Sequence, residues 1–187
     1  MNRPYVLIVQ GAPATGKTTI ARRLSQDLAL GLVSKDDFKE LLYMRLGAPT
    51  ERKQSSVYGQ AAIRAIFSVT ETFVKSGRSL VLESAFQAEF AQPDLAAIKM
   101  KCDVDYIQIF CHTDAQTQLD RFNARIADGT RHAGHPDDTT GTTDDFIKNN
   151  NRYEKLDIDK TIDVDTTEFG DQQYSQLLIK IHEMVKE

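Results

Sequence analysis

Lys17 is the residue around which the chemistry of this chain gathers. It belongs to the run Gly11-Ala-Pro-Ala-Thr-Gly16-Lys17-Thr18, a full match to G-x-x-x-x-G-K-[ST]. Glycines let backbone N–H groups converge on an anion without side-chain walls. The lysine carries a point charge to the β- and γ-phosphates of a triphosphate, and the Thr18 hydroxyl is of the type that ligates Mg²⁺. Gly11, Ala14, Thr15, Gly16, Lys17, Thr18 and Thr19 are therefore the expected nucleotide contacts, with ATP and Mg²⁺ as the expected cofactors. A chance glycine-rich turn is the bland alternative. The run sits between the first apolar stretch and the first helical pattern, where a helix N-terminus attracts an anion, and that place favours function.

Three carboxylates follow apolar runs where open α/β sheets bind their ligands. Asp36 and Asp37 come after the second run, and Glu83 after the third. Asp36 is the candidate to accept the proton of an attacking hydroxyl, while Glu83 is a candidate to hold Mg²⁺ directly or through water. Either aspartate could instead cap the next helix. Asp36, coming first, is expected to face the ligand and Asp37 to sit at the helix start. Arg121 and Arg125 lie four apart on one helical face, beside a polar, glycine- and threonine-rich stretch that holds Arg131. A lid over about 121–143 is the expectation, with Arg121 and Arg125 as nucleotide contacts and Arg125, nearer the polar stretch, brought onto the phosphates, against a merely solvated face. His132-Ala-Gly-His135 and Cys111-His112 match no standard zinc spacing, so no zinc site is expected.

The elements that must position these residues alternate. Tyr5–Gln10 reads as a strand buried on both faces, followed by a helix from Lys17 to about Leu30 that Gly31 closes. Leu32–Ser34 is a second strand, with helices from Asp37 to about Leu46 and from about Ser55 to Lys75, the latter capped at Gly77. Leu80–Leu82 is a third strand leading into Glu83, and Pro93 suits the first turn of a helix ending near Lys101. Val104–Phe110 is a fourth strand, and Asp114 can cap the helix that follows. Beyond the polar stretch come a helix over Asp145–Lys155 and a weak strand at Thr161–Val164. A closing helix follows, with Tyr174, Leu178, Ile181 and Val185 as its stripe. This alternation predicts an α/β fold with a parallel sheet, residues 1–187 forming a single domain.

Composition narrows the function. A chain of 187 residues with 41 % hydrophobic and 27 % charged residues is ordinary for a globular domain. Its net charge of −4 supplies no broad basic track, and aromatics are 8 % with no Trp. A small hydroxyl compound is therefore the expected acceptor, with a nucleic-acid end less favoured, although the lysines near 35–39 and the arginines form a local basic patch. Two cysteines make no disulfide framework, and the N-terminal apolar run is too short for a signal or a membrane span. A cytoplasmic protein is expected, and oligomeric state is not legible.

With these residues placed, the chain resembles the P-loop kinases related to bacteriophage polynucleotide kinase, chloramphenicol phosphotransferase and the zeta-toxin kinases. The resemblance runs through residues 11–18, Lys35-Asp-Asp-Phe-Lys39, Glu83-Ser-Ala-Phe86 and the Arg121 to His135 segment. It implies a five-stranded parallel sheet in the order 2-3-1-4-5, with Asp36 as base, Lys39 touching the acceptor and Arg125 on the ATP phosphates. Lys39 stands where the group often has Arg, and Glu83 where it often has Asp. The implied activity is ATP-dependent phosphotransfer to a hydroxyl, with Asp36, Lys39, Glu83 and Arg131 the candidate substrate contacts. Polynucleotide 5′-hydroxyl kinase and toxin-like kinase are the alternatives within the group. A nucleotide switch is the rival from another class, but no Asn-Lys-x-Asp tetrapeptide occurs to read guanine.

Overall fold

Strand β1 (Tyr5–Gln10) is buried from Val6 onward, as a central strand covered on both faces must be. The structure, a computed structural model, describes residues 3–128 and 142–186. After β1 come α1 (Lys17–Asp27), β2 (Gly31–Ser34), α2 (Lys35–Leu46), α3 (Arg52–Lys75), β3 (Leu80–Ser84) and α4 (Ala88–Lys101). Then follow β4 (Asp105–His112), α5 (Ala115–Ala127), α6 (Thr143–Asn150), β5 (Lys160–Asp165) and α7 (Asp171–Lys186). The five strands lie in the order β2-β3-β1-β4-β5, every neighbouring pair parallel. The expected fold and strand order are those observed.

Alternation along the strands divides the core in two. Val6, Ile8, Leu80 and Leu82 face one layer, where Ile66 and Phe67 of α3 and Leu95 and Ile98 of α4 pack. Leu7, Val9, Val81, Ile107 and Ile109 face the other, against Ile20 and Leu24 of α1 and Tyr174, Leu177 and Ile181 of α7. Helices thus cover both faces and leave the carboxyl ends of the strands open, where a doubly covered sheet binds its ligands.

Several element limits differ from the sequence expectation. Helix α1 ends at Asp27, and Ala29, not Gly31, makes the left-handed turn with φ of 52°. Its N–H bonds Gln26 O, and the Leu30 N–H bonds Ser25 O. Gly77, at φ of 73°, ends α3 by the same two-bond pattern, with its N–H on Val74 O and the Arg78 N–H on Phe73 O. Helix α2 begins at Lys35, so Asp36 and Asp37 both lie in its first turn, and α3 begins earlier than expected, at Arg52.

Glu83 lies within β3 rather than after it, and β4 extends to His112. Pro93 is inside α4 because the helix starts five residues earlier, where Gln87 O accepts the Phe90 and Ala91 N–H groups. Helix α6 covers Thr143–Asn150, not Asp145–Lys155, and turn bonds from Arg152 to Asn149 and from Tyr153 to Asn150 follow it. Asp114 caps α5 as expected, accepting from the Thr117 N–H at 2.9 Å. On α7 Leu177 takes the fully buried place, while Leu178 is only partly buried and Val185 is exposed.

Candidate functional site

The phosphate-binding loop leaves β1 at Gly11, and only glycine fits there. An added Cβ would lie 2.1 Å from the Cys111 carbonyl oxygen of the neighbouring strand β4. The loop then turns through two left-handed residues, Ala14 at φ of 64° and Gly16 at 76°. Such turns swing successive N–H groups toward one point, the basis of an anion cradle. Thr15 Oγ1 donates to Ala12 O at 2.8 Å, and Lys17 Nζ donates to the same carbonyl at 3.4 Å. Thr19 is exposed at the cleft edge.

Glu83 is 2 % exposed. Sheet register sets both Val9 and Ser34 beside it, so β1 and β2 deliver their ends to this carboxylate. Thr18 Oγ1 donates to its Oε1 at 3.2 Å and Ser34 Oγ to its Oε2 at 2.7 Å, with Lys17 Nζ 4.0 Å from Oε1. Two hydroxyls and an ammonium offset the cost of burying the charge. Ser34 stands at the N-cap of α2 but makes no cap bond, because its hydroxyl is turned to Glu83. Neither Asp36 nor Asp37 caps that helix. Thr18 and Glu83 together offer hard oxygen donors beside Lys17, a donor set whose chemistry fits Mg²⁺.

Two clefts open on this centre, of about 690 and 660 Å³. Both are lined by Lys17, Thr18, Asp36 and Arg125. The smaller runs along the phosphate loop past Arg121, Thr166 and Phe169, and the larger runs between α2, α3 and α4. Asp36 therefore stands where the clefts join, half-exposed, with Lys35 Nζ 3.5 Å from its carboxylate. Asp37 is exposed and lines the smaller cleft only.

In the larger cleft Lys39 is buried and donates to Ser55 Oγ at 2.9 Å. Ser55 belongs to a stripe on α3, with Arg52, Ser56, Gly59 and Gln60, that lines this cleft at helical spacing. Arg64 Nη1 meets Asp94 at 2.7 Å farther along, and exposed Phe90 stands at the wall.

Arg121 is committed to a partner that the sequence did not suggest. Its Nη2 donates to Thr166 O at 2.6 Å and its Nη1 to Thr166 Oγ1 at 3.1 Å. The single hydroxyl hydrogen of Thr166 faces Thr15 O at 2.9 Å and His112 O at 3.1 Å. The residue after β5 thus ties α5 to the phosphate loop. Arg131, His132 and His135, with most of the expected lid, lie outside the described residues. Burial pushes the Cys111 thiol up to about 12, so this cysteine stays protonated and packs as a small apolar residue. Sequence reading missed Ser34, Ser55 and Thr166. Only Ser55 left a signal, since it stands seven residues before Ala62 and eleven before Ile66, on the same helix face, where a buried polar side chain needs a partner.

The fold and site can now be set beside known proteins. The AAA domain family model matches residues 6–146. Among curated proteins no sequence matches. A Chloroflexus aurantiacus protein, provisionally named a kinase, is 31 % identical at a TM-score of 0.88, over 97 % of this chain and 98 % of its own. A gluconokinase from Sinorhizobium meliloti 1021 is 13 % identical at a TM-score of 0.63, over 100 % of this chain and 96 % of its own. The Mycobacterium tuberculosis APS kinase, in complex with AMPPNP and APS, is 14 % identical at 0.61, over 97 % and 99 %. At such identities the last two show the shared fold alone. The chain belongs to the AAA domain family and to the P-loop kinase group that its motifs resemble.

Proposed function

We propose that this protein transfers the γ-phosphoryl group of ATP to a hydroxyl of a small acceptor that carries an anionic group. The observation that carries the reading is the meeting of two clefts across Lys17, Thr18, Asp36 and Arg125. A phosphoryl group delivered along one cleft reaches an acceptor held in the other at a lysine, a carboxylate and a guanidinium. Asp36 takes the proton of the acceptor hydroxyl, the hydroxyl oxygen bonds to the γ-phosphorus, and the bond to the bridging oxygen breaks to release ADP. Lys17 and Arg125 neutralise charge on the transferring oxygens. Thr18 and Glu83 would hold Mg²⁺, which supplies further neutralisation of the phosphates when bound.

Charge in the larger cleft supports the acceptor class. Beyond Lys17 and Arg125 it is lined by Lys35, Lys39, Arg52 and Arg64 against Asp36 and Asp94, on a chain whose net charge is −4. Two structures with this fold are kinases named for small molecules, gluconokinase and APS kinase, which also supports a small acceptor. No helix among the described residues is long and apolar enough to cross a membrane.

A coupled ADP-release screen tests the reading, with neutral sugars, sugar acids, sugar phosphates, nucleosides and 5′-hydroxyl oligonucleotides as acceptors. Stimulation by an acidic or phosphorylated small hydroxyl compound is expected, falling by about 10²-fold or more in Lys17→Ala. Stimulation by oligonucleotides alone would transfer the reading to a nucleic-acid kinase. No stimulation by any acceptor, with ATP still bound, would favour the nucleotide switch.

A further inference from the structure

Gln118 is a fully buried amide on α5. Its Nε2 donates to the Pro13 carbonyl at 2.6 Å and to Asn150 Oδ1 at 3.0 Å, while its Oε1 accepts from Asn150 Nδ2 at 2.8 Å. The two side-chain amides therefore pair edge to edge, and the remaining hydrogen of Gln118 serves the phosphate loop. The bond to Pro13 fixes which way round Gln118 sits. Turned over, its carbonyl oxygen would face the Pro13 oxygen, lone pair against lone pair.

The bond to Pro13 bears on catalysis through peptide geometry. No peptide bond among the described residues is cis, and in a trans peptide the C=O and the following N–H point in opposite directions. Holding Pro13 O toward α5 therefore aims the Ala14 N–H away from α5, and Ala14 lines the smaller cleft. Ala14 holds that aim at a left-handed φ of 64°, a conformation an alanine adopts only under constraint. A free loop could relax by rotating this peptide, which would replace a donor by an acceptor in the phosphate cradle.

We infer that Gln118 and Asn150 form a positioning pair that keeps the Ala14 N–H directed at the β-phosphate of the nucleotide, linking phosphate recognition to helix α6. The inference rests on the reading that this loop binds ATP and ADP, and it adds two residues that the loop motif does not contain. Neither side chain touches the nucleotide; each acts through the loop backbone.

Titration calorimetry of ADP against AMP separates this role from a general loss of structure, because AMP lacks the β-phosphate. Gln118→Leu, which removes the donor at similar volume, is expected to weaken ADP by roughly three- to tenfold while AMP changes less than about twofold. Asn150→Ala removes the partner from a partly exposed helix end and is expected to produce the same selective loss, even if Gln118→Leu does not fold. Where both fold, the double variant is expected to be no weaker than Gln118→Leu, since both changes release one constraint. Equal weakening of ADP and AMP, unchanged ADP affinity in Asn150→Ala, or additive losses would overturn the pair. A wild-type protein that binds ADP no better than AMP would overturn the loop reading and the pair with it.

Discussion

The two clefts that meet at Lys17 are built differently. On the side proposed for the nucleotide the loop backbone is cross-linked from several directions. Ala12 O accepts from Thr15 and Lys17, Pro13 O from Gln118, and Thr15 O from Thr166. On the side proposed for the acceptor the walls are side chains carried by α2, α3 and α4, such as Lys39, Ser55, Arg64, Phe90 and Asp94. Phosphates present the same oxygens in every nucleotide, so a rigid backbone cradle suffices for them. An acceptor is distinguished by its own groups, and side chains on helices can be exchanged without disturbing the sheet. Under the proposed function, the difference assigns catalysis and specificity to separable halves of this site.

The largest effect should come where the halves join. Asp36→Asn is expected to lower turnover by roughly 10²- to 10⁴-fold on an accepted substrate, with ATP affinity little changed. Asp37→Asn, one residue on but confined to the nucleotide cleft, should change turnover far less. Steady-state kinetics of the two variants on one acceptor would break the comparison if their effects were reversed.

A smaller effect is expected inside the acceptor half. Lys39→Met removes a buried charged donor, and the KM for an anionic acceptor should rise by roughly ten- to a hundredfold while the KM for ATP holds. Arg52→Met, at an exposed position, should raise the acceptor KM by no more than about fivefold. A rise in the KM for ATP as large as that for the acceptor would show that the halves are not separable.

The smallest effect should lie outside both clefts and affect stability alone. Ala29→Gly relieves a left-handed alanine and should raise unfolding free energy by about 1 kcal/mol, and Gly77→Ala should lower it by about as much. Denaturant unfolding measures both shifts. Turnover should be unchanged in each, since the two turns end α1 and α3 away from the shared residues.

The matched helix ends also show what could be read in advance. Gly77 announces a left-handed cap by its residue type, whereas Ala29 adopts the same cap with no such sign, because the strand that follows must begin at Gly31. Pro93 misled for a related reason. Its preference for a first helical turn is a local tendency, and burial of Ala91 and Leu95 in the core layer starts the helix earlier. The polar stripe of α3 was present in the residues but reads as an ordinary solvated face until α2 and α4 are seen beside it.

By itself the sequence determined the phosphate loop, because its chemistry lies in eight consecutive residues whose backbone does most of the binding. It determined the parallel α/β class as well, through apolar runs short enough for strands and the helical patterns between them. Only the tertiary structure decided which distant residues complete the site. Ser34 reaches Glu83 through sheet register, Thr166 reaches Thr15 and Arg121 across the strand ends, and Gln118 reaches Pro13 and Asn150 from α5. Each of these is a short polar side chain with several possible local uses. Its partner is chosen by which elements the packed core brings within hydrogen-bond reach, and no spacing along the chain encodes that distance.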